Sequence, residues 1–204
     1  HPNLTVTQSD IANISAQIDS VPRAQGALEE LRSSVNLALA QPMDVPLPKD
    51  AGGGYTHEQH KRNYKALYDA SLLFQITKDT VYLNFVESML LRYAALYPTL
   101  GTHHKPKEQT LGKLFWQSLN EAMWLVHTIQ AYDMVVSSIS DENRSIIEDN
   151  LLRPAAHYLS VGQPQTFNKI HNHGTWAAAA VGMTGYVLQD ENLVQQALYG
   201  LDKT

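Results

Sequence analysis

The amino-acid sequence predicts an all-α protein made of consecutive antiparallel helices, arranged either as a bundle or as a toroid of helical hairpins. Apolar residues recur three or four positions apart along most of the 204 residues. No segment alternates apolar and polar residues in the manner of a β-strand. A fixed-length sequence repeat is also missing, which disfavours TPR and HEAT arrays.

Prolines, glycines and capping residues divide the first half of the chain into helices. Pro22 suits a first helical turn, and Asp79 or Thr80 can cap a helix. Between them, three prolines and the glycines 52–54 interrupt any helix, and we interpret this stretch as a flexible linker. The predicted helices cover residues 9–18, 22–39, 64–76 and 80–97.

The second half continues the same pattern. Apolar spacing predicts a long helix over 111–129, and Ser140 begins the next one, which Pro154 should kink or split. Further helices are predicted over 176–188 and from Glu191 onward. The last apolar pattern reaches Leu201 without a stop signal, so we expect residues 1–204 to be cut from within a larger fold.

Composition excludes several classes of function. The chain has no cysteine, which excludes disulfide frameworks, zinc fingers, thiol catalysis and iron–sulfur ligation. Its net charge of −5 disfavours a general nucleic-acid binder. Residues 49–113 are nevertheless basic, with nine Lys and Arg against six Asp and Glu, and this window could attract an anionic substrate to one face.

The segment 166–176 is the best candidate for a functional site. Asn172 and His173 stand directly before an Ala-rich helix, Ala177–Ala180. Asn172 is a plausible helix N-cap, which would be a purely structural role. The same place offers free N–H groups and a partial positive charge, so an amide and an imidazole there could complete a carboxylate-binding pocket.

Metal and nucleotide sites receive little support. His171 and His173 form an H-x-H pair, but no third ligand follows at a diagnostic spacing, and we expect no metal. The three glycines are not followed by the G-K-[ST] of a phosphate loop. Gln117 and Asn120 fall on one face of a predicted helix, where they either face solvent or line a sugar groove.

Three stretches of the chain resemble the helical N-terminal domain of the oligoalginate lyases, polysaccharide lyase family 17. They are Gly-Gly-Gly-Tyr-Thr-His-Glu-Gln-His-Lys at 52–61, Trp-Gln-Ser-Leu-Asn-Glu-Ala at 116–122 and, chiefly, Asn-His-Gly-Thr-Trp at 172–176. Asn-His-Gly is shared more widely among the heparinase- and alginate-lyase-like α/α toroids. The resemblance implies that the helical hairpins form part of an incomplete (α/α) toroid, followed in the family by β-sheet domains.

The resemblance also implies roles for particular residues. Asn172 and His173 would be catalytic, and Lys107, Gln117 and Asn120 would bind the substrate, an anionic polysaccharide or oligosaccharide. The family's catalytic Tyr would lie beyond residue 204, in a C-terminal part of the same protein. No cofactor is implied for this segment, and a homodimer is left open. Family habit predicts a periplasmic or secreted enzyme. The sequence itself predicts no membrane span, and its net charge predicts no nucleic-acid partner.

The reaction that the resemblance implies is β-elimination, and the residues at 172–173 suit it. Alginate is a chain of uronic acids, and its cleavage removes the C5 proton and expels the C4 oxygen. Hydrogen bonds that neutralise the neighbouring carboxylate favour this step, because they strengthen as negative charge develops. A neutral imidazole could also act as the base. The exolytic mode is expected by analogy with the family.

The sequence leaves two alternative functions open. The first is an α/α-toroid glycoside hydrolase with a carboxyl acid and base, such as Glu121 and Asp133. The second is a helical module that binds anionic carbohydrate without turnover.

Overall fold

The computed structural model describes residues 1–105 and 110–201, and within them the fold is all-α, as predicted. No β-strand occurs in the described ranges, and no helix there is long and apolar enough to cross a membrane. The described α-helices are α1 Gln8–Ile18, α2 Pro22–Leu39, α3 Tyr55–Thr77, α4 Thr80–Leu96, α5 Ser118–Val135, α6 Asp141–Ile147, α7 Arg153–Leu159, α8 Pro164–Phe167, α9 Asn172–Val187 and α10 Glu191–Tyr199.

Helices α3, α5 and α9 lie side by side and run in the same direction. The ring of Tyr64 in α3 stacks on that of His127 in α5, with 4.7 Å between centroids. Farther along, the amide of Gln130 in α5 approaches the sulfur of Met183 in α9 at 3.9 Å.

Near the far ends of α3 and α5, the Gln75 amide donates to the Met134 carbonyl oxygen. Leu111, which precedes α5, lies in one pocket with His171 and His173 at the start of α9. The contacts thus advance together along the three helices, so their N-termini lie at one end of the molecule.

The remaining long helices pack behind this row. α4 contacts α3 and α6, whereas α10 packs on α9. Between two neighbouring helices of the row, the chain therefore runs back in the opposite direction. A toroid of helical hairpins requires this order. Closure into a toroid needs further hairpins and stays a prediction.

Helix α5 is the centre of the core because almost every side of it is covered. Trp124, Leu125, Ile129 and Tyr132 are each 0 % exposed. Burial of one such large apolar side chain stabilises the fold by about 1.5–3 kcal/mol. The core thus holds α5 in place between α3 and α9, and with it the position of its N-terminus.

Helix α3 begins at Tyr55, nine residues before the predicted apolar stripe, and the glycine stretch before it is not a simple linker. The Asp50 carboxylate accepts hydrogen bonds from the Thr56 backbone N–H and from the Thr56 hydroxyl, both at 2.9 Å. The carboxylate therefore caps the helix across the glycines, and these bonds keep the pKa of Asp50 below its usual value. Hydrophobic spacing carries no signal for a cap of this kind.

Helix α5 begins at Ser118, so the predicted helical start near Leu111 is wrong. Residues 111–117 form a bent loop although Leu114 and Phe115 are buried at helical spacing. The backbone N–H groups of Leu114 and Phe115 donate to the Glu121 carboxylate instead of to an earlier turn of helix. A side-chain acceptor has replaced the helical hydrogen bonds.

Pro154 affects its helix by widening a turn. A π-helical turn, Glu148–Leu152, joins α6 to α7 immediately before the proline. Proline lacks an N–H and its ring collides with the preceding turn, and a wider turn relieves both problems. The predicted distortion is confirmed as a bulge within one continuous helical segment.

Candidate active site

A groove lies at the end of the molecule where α5 and α9 begin. It has a volume of about 500 Å³ and is open to solvent. The residues that line it include Thr110, Leu111, Gln163, Lys169, His171 and His173. None of the described lining residues is acidic, and Lys169 is positively charged. The groove therefore suits a negatively charged ligand.

The start of α9 places its polar residues at the mouth of this groove. His171, not Asn172, is the N-cap, so the predicted cap is wrong by one residue. The His173 backbone N–H lies 3.5 Å from Nδ1 of His171 and donates at 3.0 Å to Oδ1 of Asn172. Asn172 is exposed and His173 is half-buried. Neither side chain is buried in the core: His173 lines the groove, and Asn172 is exposed next to it in the sequence without being one of the lining residues.

The Asn172 amide is available to a ligand. Its oxygen accepts from His173, and within the described residues its Nδ2 donates to no protein group. A donor of this kind, beside a helix N-terminus, is suited to a carboxylate. The rings of His171 and His173 lie 5.3 Å apart, so that two imidazoles flank the same opening.

Gly174 explains why the motif has glycine after histidine. A Cβ at this position would stand 2.1 Å from the Lys169 carbonyl oxygen and 3.0 Å from that of Thr166. The absent side chain lets the turn 166–169 pack directly against the first turn of α9. This contact brings Lys169 and His173 to the same groove.

The substrate-binding residues predicted from the resemblance are placed less favourably. The Gln117 amide donates to Oδ1 of Asn120 at 2.8 Å, and both residues are half-buried at the start of α5. They lie at the same end of the molecule as His173 but do not line the groove. Lys107 lies outside the described residues.

Sequence reasoning did not select Gln163, Lys169 or His171 as site residues. Lys169 and His171 stand in the segment that was singled out, so proximity to Asn172 could have suggested them. Gln163 gave no such signal. It reaches the groove because its amide donates at 2.7 Å to the Leu111 carbonyl oxygen, 52 positions away in the sequence.

Glu121 and Asp133, the carboxyl pair of the glycoside hydrolase alternative, both serve the fold. Glu121 is 0 % exposed and accepts from Tyr97 and from three backbone N–H groups. Asp133 is 1 % exposed and accepts from the backbone N–H groups of Asn3 and Leu4. Twelve residues of one helix separate the two by roughly 18 Å, whereas acid and base in glycosidases stand about 5–9.5 Å apart. Their placement argues against that chemistry.

Among the described residues, no cluster of three or more His, Cys, Asp or Glu side chains could hold a metal ion. The imidazoles of His171 and His173 lie near each other, but among the described residues no carboxylate or third imidazole could complete a metal coordination sphere with them. The expectation of a metal-free and cofactor-free segment stays a prediction.

Comparison with known proteins agrees with the resemblance. A family model described as alginate lyase matches residues 13–203. The whole chain is 54 % identical to an exo-oligoalginate lyase of Saccharophagus degradans (strain 2-40 / ATCC 43961 / DSM 17024), of which it covers 28 %. Over 87 % of its length it is 49 % identical to an alginate lyase of Stenotrophomonas maltophilia (strain K279a), of which it covers 24 %. The chain therefore spans about a quarter of these relatives and belongs to the alginate lyase family.

Proposed function

We propose that this chain is the helical part of a polysaccharide lyase that cleaves alginate oligosaccharides by β-elimination. The proposal rests chiefly on the groove at the start of α9, which has no acidic residue among its described lining residues. His173 is half-buried and Asn172 is exposed there, and the chain belongs to the alginate lyase family. The name of the relative from Saccharophagus degradans, an exo-oligoalginate lyase, supports an exolytic mode on oligosaccharides. The products would then carry an unsaturated uronic acid at the new non-reducing end.

In the proposed reaction, Asn172 and His173 receive the carboxylate of the uronic acid. Nδ2 of Asn172 and the positive end of α9 neutralise that group, which makes the neighbouring C5–H more acidic. A base takes the C5 proton, the electrons form the C4–C5 double bond, and the bond from C4 to the bridging oxygen breaks. A neutral His173 imidazole is suited either to donate to the carboxylate or to take the proton.

Substrate holding is assigned to the basic and amide groups around this centre. Lys169 lines the groove and would pair with a second uronate. Lys107, Gln117 and Asn120 are retained as proposed substrate-binding residues because of the resemblance. For Gln117 and Asn120 this requires that their mutual hydrogen bond be exchanged for bonds to sugar hydroxyls.

The rest of the site is proposed to come from a further segment of the same protein. The relatives are between three and four times as long as this chain, so a C-terminal part has room to supply the Tyr that protonates the leaving oxygen. A periplasmic or secreted location and an absence of cofactor in this segment complete the proposal.

The test is product analysis with the full-length protein that carries this chain. Incubated with oligomannuronate and oligoguluronate, it should release products with the short-wavelength ultraviolet absorbance of a C4–C5 double bond conjugated to the carboxylate. Mass spectrometry should find them lighter by one water than the hydrolysis products. Saturated products would indicate a hydrolase, and binding without turnover would indicate a carbohydrate-binding module; either result would overturn the proposal.

A further inference from the structure

Glu121, in the first turn of α5, makes an unusually dense set of hydrogen bonds for a buried carboxylate. Its Oε2 accepts from three successive backbone N–H groups, those of Lys113 at 3.1 Å, Leu114 at 2.9 Å and Phe115 at 3.0 Å. Its Oε1 accepts from the Tyr97 hydroxyl at 3.0 Å. All four donors are supplied by the protein, so the carboxylate itself has no access to a ligand.

These bonds determine the path of the loop 110–117, which we call the wall loop. Burial alone raises the pKa of Glu121, and the four donors oppose that rise by stabilising the charged form. Three N–H groups can point at one oxygen only if the backbone curls around it, which explains why residues 113–115 are not helical. Bonds from N–H groups to a charged acceptor are about twice as strong as neutral ones.

The other end of the wall loop forms one side of the groove. The Leu111 carbonyl oxygen accepts from the Gln163 amide at 2.7 Å and from the Tyr158 hydroxyl at 3.2 Å. Thr110, Leu111 and Gln163 then line the groove together with His173. Two to three residues of chain connect this wall to the backbone groups that Glu121 holds, so a displacement at 113–115 is transmitted to it.

We propose that Glu121 is a positioning residue for substrate binding, which holds the wall loop against the groove and touches no substrate itself. This inference rests on the proposed function for its kinetic readout. Its consequence is specific: loss of the carboxylate should loosen the wall and weaken the binding of substrate and transition state alike, while the chemistry at His173 continues. Such uniform loss raises KM and leaves kcat nearly unchanged.

Glu121→Ala and Glu121→Gln in the full-length protein separate this role from the others. The Ala variant should raise KM for oligoalginate about tenfold or more, with kcat within about threefold of the unmodified protein. The Gln variant keeps an oxygen for the three N–H groups and should restore KM. A merely structural role would instead lower the active fraction, and thus kcat, at unchanged KM, and an acid–base role would abolish kcat in the Gln variant; either outcome overturns the proposal.

Glu148 provides the matched control. Its carboxylate accepts from the Tyr132 hydroxyl at 2.7 Å, as Glu121 accepts from Tyr97, but among the described residues it has no hydrogen bond or ion pair with the wall loop. Glu148→Ala should lower stability with KM unchanged. If Glu121→Ala does not fold, Glu121→Asp can replace it, because it keeps the charge and shortens the side chain by one methylene. This variant should also raise KM, by a smaller factor.

Amide hydrogen exchange tests the anchor without reference to activity. Exchange at Lys113, Leu114 and Phe115 should accelerate in Glu121→Ala and stay slow in Glu121→Gln and Glu148→Ala. Unchanged exchange in Glu121→Ala would overturn the positioning role. Absence of turnover by the unmodified protein would overturn the proposed function, whereas faster exchange with an unchanged KM would overturn only the link between anchor and groove.

Discussion

Gly174 allows a close backbone approach at the candidate site, where the turn 166–169 packs against the first turn of α9. A methyl group there must displace the Lys169 carbonyl or the start of α9, because its carbon would stand only 2.1 Å from the Lys169 carbonyl oxygen. Gly174→Ala should therefore lower the free energy of unfolding by about 1–3 kcal/mol and should also lower lyase activity, as His173 moves with the first turn.

Gly26 is the control for this substitution, because an added Cβ there meets no atom within 4 Å. Gly26→Ala lies inside α2 and should stabilise the protein by up to about 1 kcal/mol. Thermal or denaturant unfolding of the two variants gives the comparison. Equal stability changes at positions 26 and 174 would show that the packing described around Gly174 is wrong.

His60 makes stability depend on pH. Its ring is 0 % exposed, its Nδ1 pairs with the Tyr93 hydroxyl at 2.9 Å, and burial lowers its pKa from 6.5 to about 4. Asp44 opposes this shift, while His57 and His103 add to it. Because the unfolded chain takes up a proton near pH 6.5 and the folded chain does not, stability is lost as the pH falls from about 6.5 through 4.

The size of this loss is up to about 3 kcal/mol, at 1.36 kcal/mol for each unit of pKa shift. His60→Gln removes the titrating group and keeps a hydrogen-bonding side chain. Urea unfolding at several pH values should give a difference between the unmodified protein and the variant that shrinks as the pH falls from 7 to 4. A constant difference across that range would contradict the assignment.

At the scale of single elements, Asp190 links two helices. Its carboxylate caps α10 by accepting from the Leu193 N–H at 3.3 Å, and it pairs with Arg153 of α7 at 2.7 Å. Asp190→Ala removes both interactions and should cost about 1–2 kcal/mol. Asp190→Ser keeps a capping hydroxyl and should cost less than about 1 kcal/mol. Denaturant unfolding distinguishes the two, and equal losses would show that the cap contributes nothing.

Helix identity could be predicted wherever the information is local. Pro22, the Asp79 cap and the Ser140 cap mark helix starts that the structure confirms. The starts of α3 and α5 could not be predicted, because Asp50 and Glu121 act across turns that hydrophobic periodicity ignores. In both cases a carboxylate holds backbone N–H groups, and only the folded chain brings donor and acceptor together.

The same distinction between local signals and long-range contacts applies to the residues of the candidate site. The position of Asn172 and His173 at a helix start could be predicted because it is a local feature, and their catalytic role stays a prediction. Gln163 could not, since its place in the groove follows from a hydrogen bond to Leu111 over 52 positions. Gln117 and Asn120 were predicted from resemblance and stay predictions, because their amides pair with each other outside the groove.

At the scale of the whole molecule, the fold directs positive potential toward one end. Parallel α3, α5 and α9 begin there, and each helix start carries a partial positive charge. At α3 the Asp50 carboxylate already occupies this position, whereas at α9 the groove beside His173 has no acidic lining residue in the described chain. We therefore expect an anionic ligand to be attracted to the start of α9, although the net charge of the chain is −5.

The most direct measurement is the turnover of oligoalginate by the full-length protein carrying His173→Ala, followed by the absorbance of the unsaturated product. Loss of the imidazole should lower kcat by about 100-fold or more, the size expected when a group that stabilises developing charge or accepts the proton is removed. His157→Ala, at an exposed histidine of α7 outside the groove lining, should keep full activity. Full activity of the His173 variant would contradict the account.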